Sequence, residues 1–96
     1  MIKASLDYEL KKIVDISKGY GVRKVILFGS CLDNTSMAND IDIAVSGVLD
    51  RDFFKLYGKI SMELDDEVDL VDLDDLPKHF YNRVLSKGKV LYERLD

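Results

Sequence analysis

An α/β (α+β) fold, with a small mixed β-sheet flanked by helices, is what this sequence predicts. Three observations carry the prediction. Segments of helical periodicity alternate with short apolar runs, in the order helix, strand, strand, helix, strand, helix, strand. Glycine-containing turns, an aspartate-rich turn and the one proline punctuate those segments. The chain has 96 residues, 47% apolar and 33% charged, which suits a single domain over residues 1–96 with one core.

The first helix is expected from about Ser5 to Lys18. Leu6, Leu10, Ile13 and Val14 form one apolar stripe, with Ser5 as a cap, Asp7 and Glu9 in the first turn, and Gly19-Tyr20-Gly21 as the stop. Val22 to Phe28 reads as a strand whose second half, Val25-Ile26-Leu27-Phe28, is continuously apolar, as in a strand covered on both faces. Gly29-Ser30 follows at once. Residues 31–39 are mostly small or polar and read as a short helical turn plus loop. Asp40 to Val45 is a second strand, ended by Ser46-Gly47. A second helix starts at Asp50, its cap, with Phe53, Tyr57, Ile60 and Leu64 on one face. Gly58 within it costs up to about 1 kcal/mol against alanine and suggests close packing on the sheet. Val68 to Leu73 is the third strand. Asp74-Asp75-Leu76-Pro77 turns into a third helix with Pro77 in its first turn and Phe80, Val84 and Leu85 as its apolar face. Gly88 stops it, and Val90-Leu91-Tyr92 is a short last strand or extended tail.

Composition excludes several classes. No apolar run approaches the roughly 20 residues of a membrane-spanning helix, and the start Met1-Ile2-Lys3-Ala4-Ser5 has no signal-peptide core. A single cysteine, Cys31, excludes an internal disulfide and a cysteine-rich zinc site, so a cytoplasmic setting is expected. The net charge of -4, with seven acids from Asp65 to Asp75, argues against nucleic-acid binding by this chain alone. A divalent cation or a basic protein surface is the natural complement, although most of these acids read as a solvated face.

Three signals converge on chemistry. Asp40 and Asp42 alternate along a strand and so share a face, about 6.8 Å apart at Cα. If the carboxylates approach to ~4 Å they repel by about 4 kcal/mol at an effective dielectric near 20, and a divalent metal removes that repulsion. Oxygen ligation suits Mg²⁺ or Mn²⁺, held by one or two carboxylates and substrate phosphates. Gly29 lets backbone approach a ligand, and Ser30 adds a hydroxyl and free N–H groups that favour an anion. The segment is no P-loop, because no lysine follows. Asp69 sits among Val68, Leu70, Val71 and Leu73, where a buried aspartate needs a partner. If the third strand lies beside the second, Asp69 joins Asp40 and Asp42 as a metal ligand and general base, while Asp72 points to the opposite face.

Phe28-Gly29-Ser30, then Asn39-Asp40-Ile41-Asp42-Ile43-Ala44-Val45, then Val68-Asp69-Leu70-Val71, resemble the minimal nucleotidyltransferases of the polymerase-beta-like superfamily. The ending Val84-Leu85-Ser86-Lys87-Gly88-Lys89-Val90-Leu91-Tyr92-Glu93 is similar too, so the likeness spans nearly the whole chain. The resemblance implies that Gly29 and Ser30 hold the β and γ phosphates of ATP. It implies that Asp40, Asp42 and Asp69 bind Mg²⁺ (or Mn²⁺), and that Asp69 deprotonates an acceptor hydroxyl. Many relatives carry arginine directly after Gly-Ser. This chain has Cys31, which bears on nucleotide affinity more than on metal binding. With the only histidine, His79, in the third helix, Cys31 is not read as a catalytic thiol, and His79 reads as surface or partner-facing.

Small members of the family are similar to antitoxins paired with a HEPN-type helical toxin, which they inactivate by adenylylating a tyrosine. The resemblance therefore implies transfer of AMP to such a partner, in a hetero-oligomer or homo-oligomer that completes a site too small to enclose both substrates. The alternatives are a binding module that neutralises its partner by covering it, which Cys31 favours, and the catalytic subunit of a small-molecule (antibiotic) nucleotidyltransferase.

Overall fold

β-Branched and aliphatic runs separated by helical stripes give a four-stranded sheet with helices on both faces. The computed structural model describes residues 2–29 and 40–95, apart from the side chains of residues 2–5 and of Asp40. Ser30, Cys31 and the turn expected over residues 31–39 lie outside the described residues. In chain order the elements are α1 (Ile2–Lys18), β1 (Lys24–Phe28), β2 (Asp40–Ser46), α2 (Asp50–Glu63), β3 (Glu67–Asp72), a 3₁₀ turn (Leu73–Asp75), α3 (Lys78–Lys87) and β4 (Lys89–Glu93).

The sheet order is β3-β2-β1-β4. β1 is antiparallel to both β2 and β4, whereas β2 and β3 are parallel and joined through α2, the crossover a parallel pair requires. The sheet is therefore mixed, and the third strand does lie beside the second. Period-two alternation sorts the side chains. Val25, Leu27, Ile41, Ile43, Val45, Val68 and Leu70 form one core with Ile13 of α1 and Leu56 and Ile60 of α2. On the other face, a smaller cluster of Ile26, Ala44, Leu73 and Val84 packs with Phe28, Val71, Leu76 and Tyr81.

α3 closes only part of that second face. Gly88 is the point of contact: a Cβ there would stand 2.5 Å from Ile26 Cγ2 and 3.2 Å from the Leu27 carbonyl oxygen, so only glycine lets the helix end approach β1 this closely. The preceding turn is braced by Asp74, whose carboxylate accepts from Ser46 Oγ and from the Gly47 N–H, both at 2.9 Å. Asp72 caps the same turn by accepting from the Asp74 N–H, and burial, partly offset by that bond, raises its carboxyl above the ordinary range.

Several local expectations change. α1 is already helical at Ile2, so Ser5 lies inside it, consistent with the helix-forming Lys3 and Ala4. α2 begins at Asp50 itself, with Leu49 in the cap position and no side-chain cap bond. Gly58 faces open space rather than the sheet. In α3, Pro77 is the cap residue, and Phe80 and Leu85 remain exposed, because the contact at Gly88 turns Val84 and Tyr81 inward instead. The last segment is a true strand, tied to β1 by backbone pairing and by Lys24–Glu93 at 3.5 Å.

Candidate active site

Strand register builds the site. Phe28 pairs with Asp42 across the antiparallel β1–β2 ladder, and Asp42 pairs with Asp69 across the parallel β2–β3 ladder. Paired residues share a face, so Phe28, Asp42 and Asp69 form one row across three strands, each about 4.8 Å from the next. It is the second face, where the cluster of Ile26, Ala44, Leu73 and Val84 takes in Phe28 but neither carboxylate. Alternation explains why the carboxylates stand there: Ile41 and Ile43, and Val68 and Leu70, take the buried face and turn Asp42 and Asp69 to the other. Asp42 is half-buried and Asp69 is exposed. The sequence reading of Asp69 as buried fails because the second-face cluster that half-buries Val71 does not reach the Asp69 end of the edge strand β3. Asp72, on the opposite face from Asp69, serves the 3₁₀ turn.

Asp40 is the next register position on the same face as Asp42, and its partner is Glu67. Glu67 was not singled out from the sequence; its placement follows only once the register is fixed. Gly29, at the end of β1, has φ +82, and a Cβ there would overlap the Asp42 carboxylate. Glycine is thus required twice over, for the left-handed backbone and for the space Asp42 occupies.

The donor set fits an oxygen-preferring divalent cation. Two carboxylates lie side by side on a rigid ladder, with no sulfur or imidazole paired to them in register among the described residues, and a glycine cradle keeps Asp42 in place. Among the described residues no group of three acids, histidines or cysteines is gathered closely enough to hold a metal ion, and the Asp40 side chain is not among those residues.

On the Phe28 side of the row, a cavity of about 710 Å³ lies between Phe28, Gly29 and α3, where it meets His79, Phe80, Arg83, Val84 and Lys87. His79 is exposed, as the sequence suggested, but belongs to this cavity. The signal for the group was present in the sequence as basic residues at i, i+4 and i+8 of the third helix. No helix among the described residues is long and apolar enough to cross a membrane.

Comparison with known proteins agrees with this fold. The family model described as polymerase beta, nucleotidyltransferase matches residues 11–96. No curated protein sequence matched the chain. Among solved structures, the chain is similar to a toxin–antitoxin complex crystallised with AMP-PNP, at 30% identity and a TM-score of 0.75, covering 90% of this chain and 74% of that one. It is similar to a mutant of the MntA toxin–antitoxin complex in which two aspartates are replaced by glutamate, at 27% identity and a TM-score of 0.74, covering 90% and 74%. It is also similar to a complex of tri-AMPylated Shewanella oneidensis HEPN toxin with its MNT antitoxin, at 28% identity and a TM-score of 0.72, covering 92% and 72%. With the family model covering nearly the whole chain and the Phe28–Asp42–Asp69 row in register, this protein belongs to the polymerase-beta nucleotidyltransferase family.

Proposed function

We propose that this chain transfers AMP from ATP to a protein hydroxyl, a tyrosine of a HEPN-type helical partner, and so acts as the antitoxin of a toxin–antitoxin pair. The observation that carries the reading is the register pairing of Asp42 with Asp69 beside Gly29. Support comes from the structural neighbours, one with AMP-PNP, one with an AMPylated HEPN toxin, and one with a double aspartate replacement.

Asp40, Asp42 and Asp69 would hold magnesium (or manganese). Bound there, the metal would offset the negative charge that develops on the phosphoryl oxygens and on the departing pyrophosphate. Gly29 and Ser30 grip the β and γ phosphates through backbone N–H groups and a hydroxyl, which orients the α-phosphorus toward the open side of the row. The exposed Asp69 carboxylate takes the proton from the acceptor hydroxyl as the acceptor oxygen attacks the α-phosphorus. One O–P bond forms, the α–β bridging bond breaks, pyrophosphate leaves, and the proton passes from Asp69 to solvent. Because Asp69 stands on the edge strand, the acceptor reaches it from outside the chain, as a partner's side chain would.

The test is incubation of the chain and its helical partner with labelled ATP and Mg²⁺. Label on a partner tyrosine, lost in Asp42→Asn, is the expected result. A partner that stays unlabelled while both proteins are folded and bound, and that the Asp42→Asn chain still neutralises, would overturn the reading in favour of simple covering.

A further inference from the structure

We propose that the cavity on α3 is the polyphosphate subsite of the donor nucleotide, with Arg83 and Lys87 supplying its positive charge. The inference rests on the nucleotide-transfer reading and adds residues to it. Between Lys24 and Arg51 the chain contains no lysine or arginine, so the glycine-serine turn and the strand after it bring no cation of their own. Four negative positions, Asp40, Asp42, Glu67 and Asp69, stand on the other side of Gly29. A polyphosphate placed against Gly29 therefore needs its counter-charge from elsewhere. The cavity that Gly29 itself lines supplies it: Arg83 and Lys87 lie one helical turn apart on α3, with His79 a further turn back, and no acidic residue among the described residues lines the space.

Among the described residues, neither Arg83, Lys87 nor His79 is engaged in an ion pair, in a chain whose other basic groups include Lys24, paired with Glu93, and Lys59, paired with Glu63. The volume of about 710 Å³ lies within the range of roughly 300–1,000 Å³ usual for small-ligand sites. Phe80, 42% exposed, gives the wall an aromatic patch that the helix would otherwise have buried. An arginine and a lysine on one helix face suit phosphate oxygens, the first as a fork and the second as a point charge. An acidic protein segment is the competing occupant, and the shared wall with Gly29 favours the nucleotide.

The test is titration of the full chain with AMP-PNP and Mn²⁺, and separately with inorganic tripolyphosphate, for the native chain and the double variant Arg83→Ala/Lys87→Ala. Loss of two charge-assisted contacts is expected to weaken AMP-PNP about 10²-fold, with each single variant near 10-fold and Arg83→Lys intermediate. Mn²⁺ binding without nucleotide, followed by electron paramagnetic resonance, should not change. Both side chains are exposed and, among the described residues, without an ion-pair partner, so the melting temperature should hold. Equal AMP-PNP affinity in the native and double-variant chains would overturn the subsite while leaving nucleotide transfer intact. So would a double variant that loses only its helical partner, which marks the cavity as a protein contact. Tripolyphosphate binding that depends on Arg83 and Lys87, without any AMP-PNP binding, would keep the anion site and defeat the nucleotide reading. Binding of neither would overturn both.

Discussion

The carboxylate row at the strand ends and the basic face of α3 meet on either side of Phe28 and Gly29, and they are held in place by different means. Asp42 and Asp69 are register partners on adjacent strands held by ladder hydrogen bonds, so their spacing is a property of the sheet. Arg83 and Lys87 are fixed only as well as α3 is docked, through Val84, the contact at Gly88 and the Asp74 brace before the helix. The anionic half of the site should therefore tolerate distant changes that the cationic half does not. In a chain of net charge -4, it also means that the positive potential at the site depends on one ten-residue helix.

The largest break in this comparison comes from the row itself. Asp69→Asn removes the proton acceptor and should lower the rate of transfer by about 10²–10⁴-fold, with AMP-PNP affinity changed far less. Asp42→Asn should lower transfer at least as much and weaken Mn²⁺ binding as well. Rapid-quench measurement of labelled partner, alongside metal titration, separates the two. If Asp69→Asn reduced affinity and left the rate at saturating ATP intact, the base assignment would be wrong.

Gly29→Ala tests the junction between the two halves. The left-handed backbone costs a non-glycine residue about 1–2 kcal/mol, and the new Cβ would push on the Asp42 carboxylate. A fall in melting temperature of roughly 4–8 °C per kcal/mol is expected, together with loss of both metal and nucleotide binding. Retention of metal binding with loss of nucleotide alone would show that Asp42 relaxes freely.

These two halves were not equally legible in the sequence. The row was, because strand periodicity is strict: one residue of slip would have sent Asp42 and Asp69 into the core with Ile43 and Leu70 out. What the sequence did not carry was that the second-face cluster ends at Val71, which leaves Asp69 open rather than buried, and that Glu67 stands beside the Asp40 position. The cationic cavity was hidden for a different reason. On α3, Phe80, Val84 and Leu85 compete with Tyr81 for the inward face, and helical periodicity allows either rotation. A contact sixty residues distant in sequence, Gly88 against Ile26, decides it. The same blindness applies to Gly58, which has no neighbour to explain it.

Gly88→Ala therefore probes how far the cationic half depends on helix docking. Inserting a methyl where Ile26 Cγ2 and the Val84 carbonyl oxygen are each 2.5 Å away should cost about 1–3 kcal/mol as α3 lifts from β1. AMP-PNP affinity should fall with it, and Mn²⁺ affinity should not. A parallel loss of both would mean that the carboxylate row leans on α3 as well, and that the two halves are one mechanical unit.

The smallest effect sets the anionic half against an acid on the opposite face of the sheet. Glu9 of α1 is only 8% exposed and its Oε2 has no hydrogen-bond partner. Burial first, then the negative charge of Asp66 and Asp65, pushes its carboxyl above the ordinary 4.5, with Lys12 opposing. A carboxyl that holds its proton more tightly when folded stabilises the fold fully below 4.5. That contribution is lost as pH rises from 4.5 through the raised folded value, because only the unfolded chain releases the proton freely there. Glu9→Gln should thus raise stability at pH 7 by about 1 kcal/mol and make no difference well below pH 4.5, as read from urea unfolding across pH. Transfer activity should not change, since Glu9 lies on the opposite side of the sheet from Asp42. A Glu9→Gln chain less stable than the native one at pH 7 would mean that the charged carboxylate is satisfied, by Lys12 or by solvent, and that the acids at this end of the molecule are held without strain.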